Sequence, residues 1–445
     1  MTKNQQYKFV FISLIFVVFI FYFYEPDFEY LDTIGELLSI VAGEPINASF
    51  PITFYHSAYV DYRFNPPRLR IFTLNRCLKN NQFLPMDGSC PPSYILAATC
   101  AYTPYLFTIG LKANEDLKKV TIHLGSRKVE LNVQKVYKKS TEGITVCLQP
   151  VYYFSHWQNI VLYIEAWRAQ GATRFIVYFH SGTKETWKVL EYYRDLGLIE
   201  LQFWPSFPSL PADIADKHPK IDHSVYKNSY FLAMNICVLN IKTTMGTVAD
   251  FDEVMVPTNG KLLDYATKEM TNTKVGALLF DNHYVSFTPR IYTSNFSGVA
   301  SPKFKVRLGP TKYIFDASTI ALAQVHWPDS FIDSSMRNKD ADGALLHFRF
   351  DVEEKNFTTS EKPFRFFPDN HSSHIKNMQD TAIKIFNGAV PTFSPKTYDT
   401  LEKCVQKLIP VEIRTCLSIG LCRAEMDKVN DWVYAESDGL FLIAT

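Results

Sequence analysis

Between residues 144 and 204 the chain alternates apolar runs with helix-length segments, a pattern that few folds satisfy. Residues 144–148 read as a strand leading into a helix over about 155–170, stopped by Gly171. The run Phe175-Ile-Val-Tyr-Phe reads as a second strand, and 183–196 as a second helix, stopped by Gly197. Glycine just past a helix supplies the left-handed residue that ends it. A third strand, 198–204, completes strand–helix–strand–helix–strand. Units of this length need crossover helices, so the strands run parallel, as in nucleotide-binding α/β sheets. A third helix is expected over about 225–242, ahead of the strand 246–249. From Val275 on, short strands mix with irregular segments.

Upstream the texture differs. Residues 54–139 hold alternating segments such as Leu69-Arg-Ile-Phe-Thr-Leu and Val129-Glu-Leu-Asn-Val, parted by Pro, Gly and Asn, with no long helical stripe. That spacing predicts a small β-sandwich. The expected organisation is a β-rich part at 51–140, an α/β part at 141–395 and a cysteine-containing tail at 396–445. The 46 basic and 45 acidic residues nearly cancel, which argues against a nucleic-acid face.

Phe9 to Tyr24 is free of charge and mostly Phe, Ile and Val, with Lys3 and Lys8 before it and Glu25, Asp27, Glu29 and Asp32 after it. The basic flank is expected to stay cytosolic, so the body is luminal. At ~1.5 Å per residue the run spans roughly 24 Å, short of a ~30 Å bilayer core, a gap that a thin early-secretory membrane can absorb. The expectation is a 1–8 cytosolic tail, a 9–24 signal-anchor helix and a 25–50 stem; a cleaved signal peptide is the alternative. Eight cysteines, an even number without a CxxC pair, point to disulfides in an oxidising compartment. The groups 77/90/100 and 404/416/422 suggest local bridges. Four sequons, at Asn47, Asn295, Asn356 and Asn370, permit N-glycosylation.

The sharpest chemical signal is Asp250-Phe251-Asp252-Glu253, directly after an apolar strand. Ligands of parallel α/β sheets bind beyond the carboxyl ends of the strands. Carboxylates at i and i+2 of an extended segment point the same way and can hold a divalent cation against nucleotide phosphates. Asp340-Ala-Asp342-Gly has the same spacing without a strand before it and reads as a solvated loop. His326 ends the apolar run Ile320-Ala-Leu-Ala-Gln-Val, and His347 lies in Ala344-Leu-Leu-His-Phe-Arg. An imidazole beside the carboxylates suits Mn²⁺. Arg349, two residues past His347, could fork onto phosphate oxygens. No nucleophile elbow, Walker loop, Gly-x-Gly-x-x-Gly or His-Glu-x-x-His is present.

Several ordered motifs resemble glycosyltransferase family 92, once called domain of unknown function 23. They are Val146-Cys-Leu-Gln-Pro, Tyr163-Ile-Glu-Ala-Trp-Arg-Ala-Gln-Gly, Leu190-Glu-Tyr-Tyr-Arg-Asp-Leu-Gly, Val248-Ala-Asp-Phe-Asp-Glu-Val-Met-Val-Pro, Pro310-Thr-Lys-Tyr-Ile and Leu346-His-Phe-Arg. Ser57-Ala-Tyr-Val-Asp-Tyr-Arg looks like the family's lead-in. The resemblance implies a GT-A catalytic domain on a type II Golgi membrane protein. It implies Mn²⁺- or Mg²⁺-dependent, inverting transfer of galactose from UDP-galactose to a glycan or glycoprotein acceptor such as the core fucose of N-glycans. By motif, Asp250 faces ribose and metal, and Asp252 is the main metal ligand. His347 or His326 is the late histidine, and Lys312 and Arg349 lie near the phosphates. Phe348 stands where the family has Tyr, and Val254 where it has an aromatic.

Inverting transfer needs a carboxylate as general base on the acceptor hydroxyl. Asp281, after Val275-Gly-Ala-Leu-Leu-Phe, is the first candidate and Asp316, after Tyr313-Ile-Phe, the second. The alternative from another class is a non-catalytic glycan-binding membrane protein on a transferase scaffold.

Overall fold

The computed structural model describes residues 52–76, 100–112, 116–124, 127–138, 141–216, 218–287, 296–300, 302–306, 310–348, 364–369, 371–392, 395–408, 416–436 and 441–444. The expected tail, anchor and stem over 1–50 lie outside them, as do Cys77, Cys90, Arg349 and the four sequon asparagines. Among the described residues no helix is long and apolar enough to cross a membrane.

Five strands come first: β1 (Thr53–Asp61), β2 (Arg68–Arg76), β3 (Tyr102–Gly110), β4 (Lys119–Leu124) and β5 (Arg127–Val136). The α/β part follows as β6 (Thr141–Val151), α1 (Trp157–Ala169), β7 (Ala172–Phe179), β8 (Ser181–Gly182), α2 (Lys184–Asp195), β9 (Ile199–Phe203), α3 (Tyr230–Asn240) and β10 (Thr243–Val248). After it come β11 (Glu253–Pro257), α4 (Leu262–Met270), β12 (Val275–Phe280), β13 (Asn282–Ser286), β14 (Lys303–Val306), β15 (Lys312–Asp316), β16 (Ile320–Ala323), β17 (Pro328–Phe331), β18 (Arg337–Asp340) and β19 (Gly343–His347). The chain closes with α5 (His371–Ile385), α6 (Pro395–Leu408), β20 (Val433–Tyr434) and β21 (Leu442–Ala444).

The central sheet has the order β18-β12-β15-β10-β6-β7-β9. Strands β10, β6, β7 and β9 are mutually parallel, as the alternation predicts, and β15 runs antiparallel between β10 and β12. One face packs on α1, α2, α4 and α5, the other on α3. Helix α1 is buried nearly all round, from Trp157 to Ile164, so Trp157 and Trp167 are core residues. Thr183 caps α2 by accepting from the Thr186 amide at 3.2 Å.

The expected sandwich is instead one hydrogen-bonded sheet, ordered β3-β2-β1-β5-β4 with β21 added on β1. One face, through Phe54, Tyr59, Phe72 and Leu74, joins the core around α3, so no second sheet is needed to cover it. Its other face closes a small core of its own from Tyr55, Val60, Leu69, Ile71 and Leu131. The lead-in Asp61-Tyr-Arg63 is an anchor: Arg63 forks onto both oxygens of buried Asp61 and donates to the Ala317 carbonyl at 2.8 Å.

The cystines depart from the local grouping. Cys100 bonds Cys416, 316 residues away, and Cys147 bonds Cys237, while Cys404–Cys422 is local. The third helix starts at Tyr230 rather than 225, because Lys227, Asn228 and Ser229 all have positive φ. Among the described residues of the last fifty, β20 pairs with β8 and β21 with β1.

Candidate active site

Strand order reverses between β6 and β10, since the chain leaves β6 toward β7 on one side and reaches β10 on the other. Such a switch point opens a crevice at the carboxyl ends of the strands. A cavity of about 210 Å³ lies there, walled by residues 148–156 at the end of β6 and just past it, by Asp250, Phe251 and Asp252 after β10, and by Tyr398 and Leu401 of α6.

The acidic run is a tight turn, not the extended segment expected from its spacing. The Glu253 amide donates to the Asp250 carbonyl at 3.0 Å, and the Asp250 amide donates to Glu253 Oε2 at 3.1 Å. Phe251 is the pivot, buried against Phe154 and Tyr163 with ring centroids 5.2 Å from each. The two aspartates therefore face different partners. Asp250 Oδ1 accepts from Gln149 Nε2 at 2.5 Å, and its Oδ2 lies 3.4 Å from Lys312 Nζ. Asp252 Oδ2 lies 3.2 Å from His347 Nε2.

Behind them stands Glu253, a buried carboxylate 3.1 Å from Lys312 Nζ and 3.8 Å from His347 Nδ1. Burial raises the Glu253 carboxyl above its ordinary value, with Lys312 opposing. Burial pulls the Lys312 ammonium down, but Asp250 and Glu253 outweigh it and hold it above its ordinary value. Asn282 Nδ2 is 3.4 Å from His347 Nδ1, and the buried Asn282 Oδ1 has no hydrogen-bond partner. With that amide turned over, Oδ1 accepts a hydrogen bond from His347 Nδ1–H and leaves the Nε2 lone pair facing Asp252.

This donor set fits a small divalent cation. Two cis ligands of an octahedral ion with bonds of about 2.1 Å stand about 3 Å apart, close to the spacing of Asp252 Oδ2 and His347 Nε2. Among the described residues no group of three His, Cys, Asp or Glu is arranged around a metal. An ion held by this pair would keep several positions for water and phosphate oxygens, the usual habit of Mg²⁺ at nucleotide sites.

The other expected residues do not join the Asp252–His347 pair. The His326 ring bonds through Nδ1 to the Thr311 carbonyl at 2.9 Å rather than joining Asp252. Asp316 pairs in register with Met245, at the end of β10 opposite Asp250, and its carboxylate accepts from the Ser318 amide at 2.8 Å. Asp281 follows β12, which runs parallel to β10, so it lies at the same edge as Asp250 with an exposed side chain. Asp340 is the last residue of the exposed edge strand β18, paired with Leu279, and Asp342 follows in a turn, where its Oδ1 accepts from Thr258 Oγ1 at 2.7 Å. Phe348 packs on Phe287 and Phe366, and Val254 is in the core, so both departures from the family pattern are packing positions. Glu253, Asn282 and Gln149 had no assigned role from sequence. Gln149 alone carried a signal, since it ends a strand at the expected crevice.

The Caenorhabditis elegans glycosyltransferase family 92 protein C33H5.2 is 26% identical over 145 residues, a stretch spanning 28% of either chain. Among solved structures, S. aureus TarS 1–349 in complex with UDP is similar at 14% identity and TM-score 0.28, over 46% of this chain and 60% of that one. Glucosyl-3-phosphoglycerate synthase of Mycobacterium tuberculosis, solved with Mn²⁺ and UDP, is similar at 11% identity and TM-score 0.24, over 56% and 81%. The family model of glycosyltransferase family 92 matches residues 142–386, more than half of the chain. That span holds the β6–β10 crevice with its acidic turn, Lys312 and His347, and on it the chain belongs to glycosyltransferase family 92.

Proposed function

We propose that the protein is a GT-A-type, metal-dependent, inverting galactosyltransferase, taking UDP-galactose as donor and a glycan, such as the core fucose of N-glycans, as acceptor. The observation that carries this reading is the facing pair Asp252 Oδ2 and His347 Nε2, 3.2 Å apart beside a crevice at the strand ends. Mn²⁺ or Mg²⁺ bound there supplies Lewis-acid stabilisation of the departing diphosphate. The chain's own groups do the rest. Glu253 and Asn282 orient His347, Lys312 and Gln149 fix Asp250, and the apolar wall from Leu148 to Phe154 offers a flat base a dry seat. Asp281 is the general base in this reading. It stands at the same edge as Asp250, about 10 Å from β10 across the intervening β15, leaving room for an acceptor. Three cystines among the described residues suit an oxidising lumen, which supports a Golgi membrane protein anchored through residues 9–24.

The test is UDP release by the full chain from a panel of UDP-sugars, with Mn²⁺ or EDTA, against a mixed N-glycan pool. Galactose-dependent release that EDTA and Asp252→Asn both abolish is the expected result. Asp281→Asn is expected to keep UDP binding and lose transfer; retained transfer removes it as the base. Silence with every donor from a folded chain that still binds glycans overturns the reading in favour of a non-catalytic binding protein.

A further inference from the structure

A nucleotide diphosphate brings negative charge to a crevice already lined with carboxylates. Lys312 is engaged by two of them, Asp250 and Glu253, and is buried behind the turn. Arg349, the other cation expected at phosphates, lies outside the described residues. A further cation stands close by, held in an unusual way. Lys227, Asn228 and Ser229, just ahead of α3, all adopt left-handed backbone, with φ of 41°, 52° and 58°. None is glycine. Left-handed conformation is strained for Lys227 and Ser229, though Asn228 tolerates it, and three in succession persist only where the surroundings enforce it.

The enforcement is visible on both sides. The Lys227 amide donates to the Leu417 carbonyl at 2.8 Å, next to Cys416 and its bridge to Cys100. The Trp204 indole donates to the Asn228 carbonyl at 2.8 Å, and Asn228 and Ser229 are buried. The turn delivers one charged group to the crevice side. Lys227 Nζ lies 5.6 Å from the Tyr226 ring centroid and 5.8 Å from that of Tyr230, and no carboxylate among the described residues pairs with it. The segment that anchors the turn reaches the cavity wall: two residues past Leu417, Ile419 packs in one apolar cluster with Tyr152, Tyr153 and Leu401, all of which line the cavity. A strained backbone that plants a carboxylate-free ammonium beside an anion-binding crevice is expected where that ammonium meets a ligand.

We infer that Lys227 binds the diphosphate of the nucleotide donor, donating charge-assisted hydrogen bonds to its oxygens. This rests on the reading of the crevice as a nucleotide-sugar site. A turn that served only to start α3 would have no use for the ammonium.

Calorimetric titration of the full chain with UDP and with uridine, both in Mn²⁺, separates the possibilities, because uridine lacks the diphosphate. Lys227→Met is expected to weaken UDP on the order of ten- to a hundredfold and to leave uridine unchanged. Lys227→Arg is expected to restore most of the UDP affinity. Unchanged UDP affinity in Lys227→Met overturns the inference, and so does an equal loss for UDP and uridine, which would make the side chain part of the pocket's shape. Should Lys227→Met melt below the wild type, Lys227→Arg against Lys227→Gln makes the same comparison of charge at similar length. A wild-type chain that binds neither ligand overturns the nucleotide-site reading itself, and this inference with it, an outcome distinct from selective failure of the variant.

Discussion

Lys312 and Glu253 form a buried ion pair, with side chains 2% and 5% exposed. Removing one member of such a pair strands the other. Lys312→Met is therefore expected to destabilise the fold by about 3–5 kcal/mol, and Lys312→Met with Glu253→Gln to recover most of that loss. Urea unfolding of both variants measures it. Asp252 is different, since it faces the crevice at 29% exposure. Asp252→Asn is expected to stay within about 0.5 kcal/mol of the wild type, so its effect on turnover will not be a folding effect. Sequence made Asp250, Asp252 and His347 legible as candidates, because each stands beside an apolar strand. It could not separate Glu253 from its neighbours. That distinction comes from the turn at Phe251, which sends Asp252 toward His347 and folds Glu253 back onto Lys312, and no local spacing encodes a turn against a strand here.

At the scale of elements, the sheet β1–β5 is tied to the α/β body by charge as well as by apolar contact. Asp61 is fully buried and holds both Arg63 and Arg70, which in turn donate to the carbonyls of Ala317 and Ala321. Burial alone would raise the Asp61 carboxyl, but the two guanidinium groups outweigh it and hold it below its ordinary value. Asp61→Ala leaves two buried cations facing no anion, with an expected loss of about 3–5 kcal/mol. Asp61→Asn keeps the shape and is expected to lose less. Denaturant midpoints decide between them. The parallel strands and both crossover helices were readable from periodicity and glycine stops. The single sheet in place of a sandwich was not, because alternation marks a strand's two faces without saying what covers them. Here α3 does, with Phe231, Leu232 and Ile236 in the same core as Phe54 and Phe72.

Among the described residues the C-terminal segment returns to the first sheet, and that long-range closure is what cysteine spacing could not reveal. Cys100 reaches Cys416 and β21 returns to β1, so the C-terminal segment seals the carboxyl end of β7, where β20 pairs with β8. His180 is trapped in that seam. Its Nδ1 lies 2.9 Å from Ser181 Oγ, and its ring meets those of Tyr153 and Tyr434 edge-on. Burial there, with Arg423 adding to it, pulls the imidazole from 6.5 down to about 4. The unfolded chain takes up a proton on this residue near pH 6.5, whereas the folded chain resists until about pH 4. Between those values the unfolded state binds more protons, so the contribution of His180 to stability is full above pH 6.5 and falls as the pH drops toward 4. Over that window the loss is about 3 kcal/mol at about 1.4 kcal/mol per pH unit. Asp61 titrates below this range and does not share in it. The expected signature is a wild-type unfolding free energy that falls between pH 7 and pH 4.5, with a visibly smaller fall in His180→Gln. Parallel pH dependences for the two proteins would place the acid-sensitive group elsewhere in the fold.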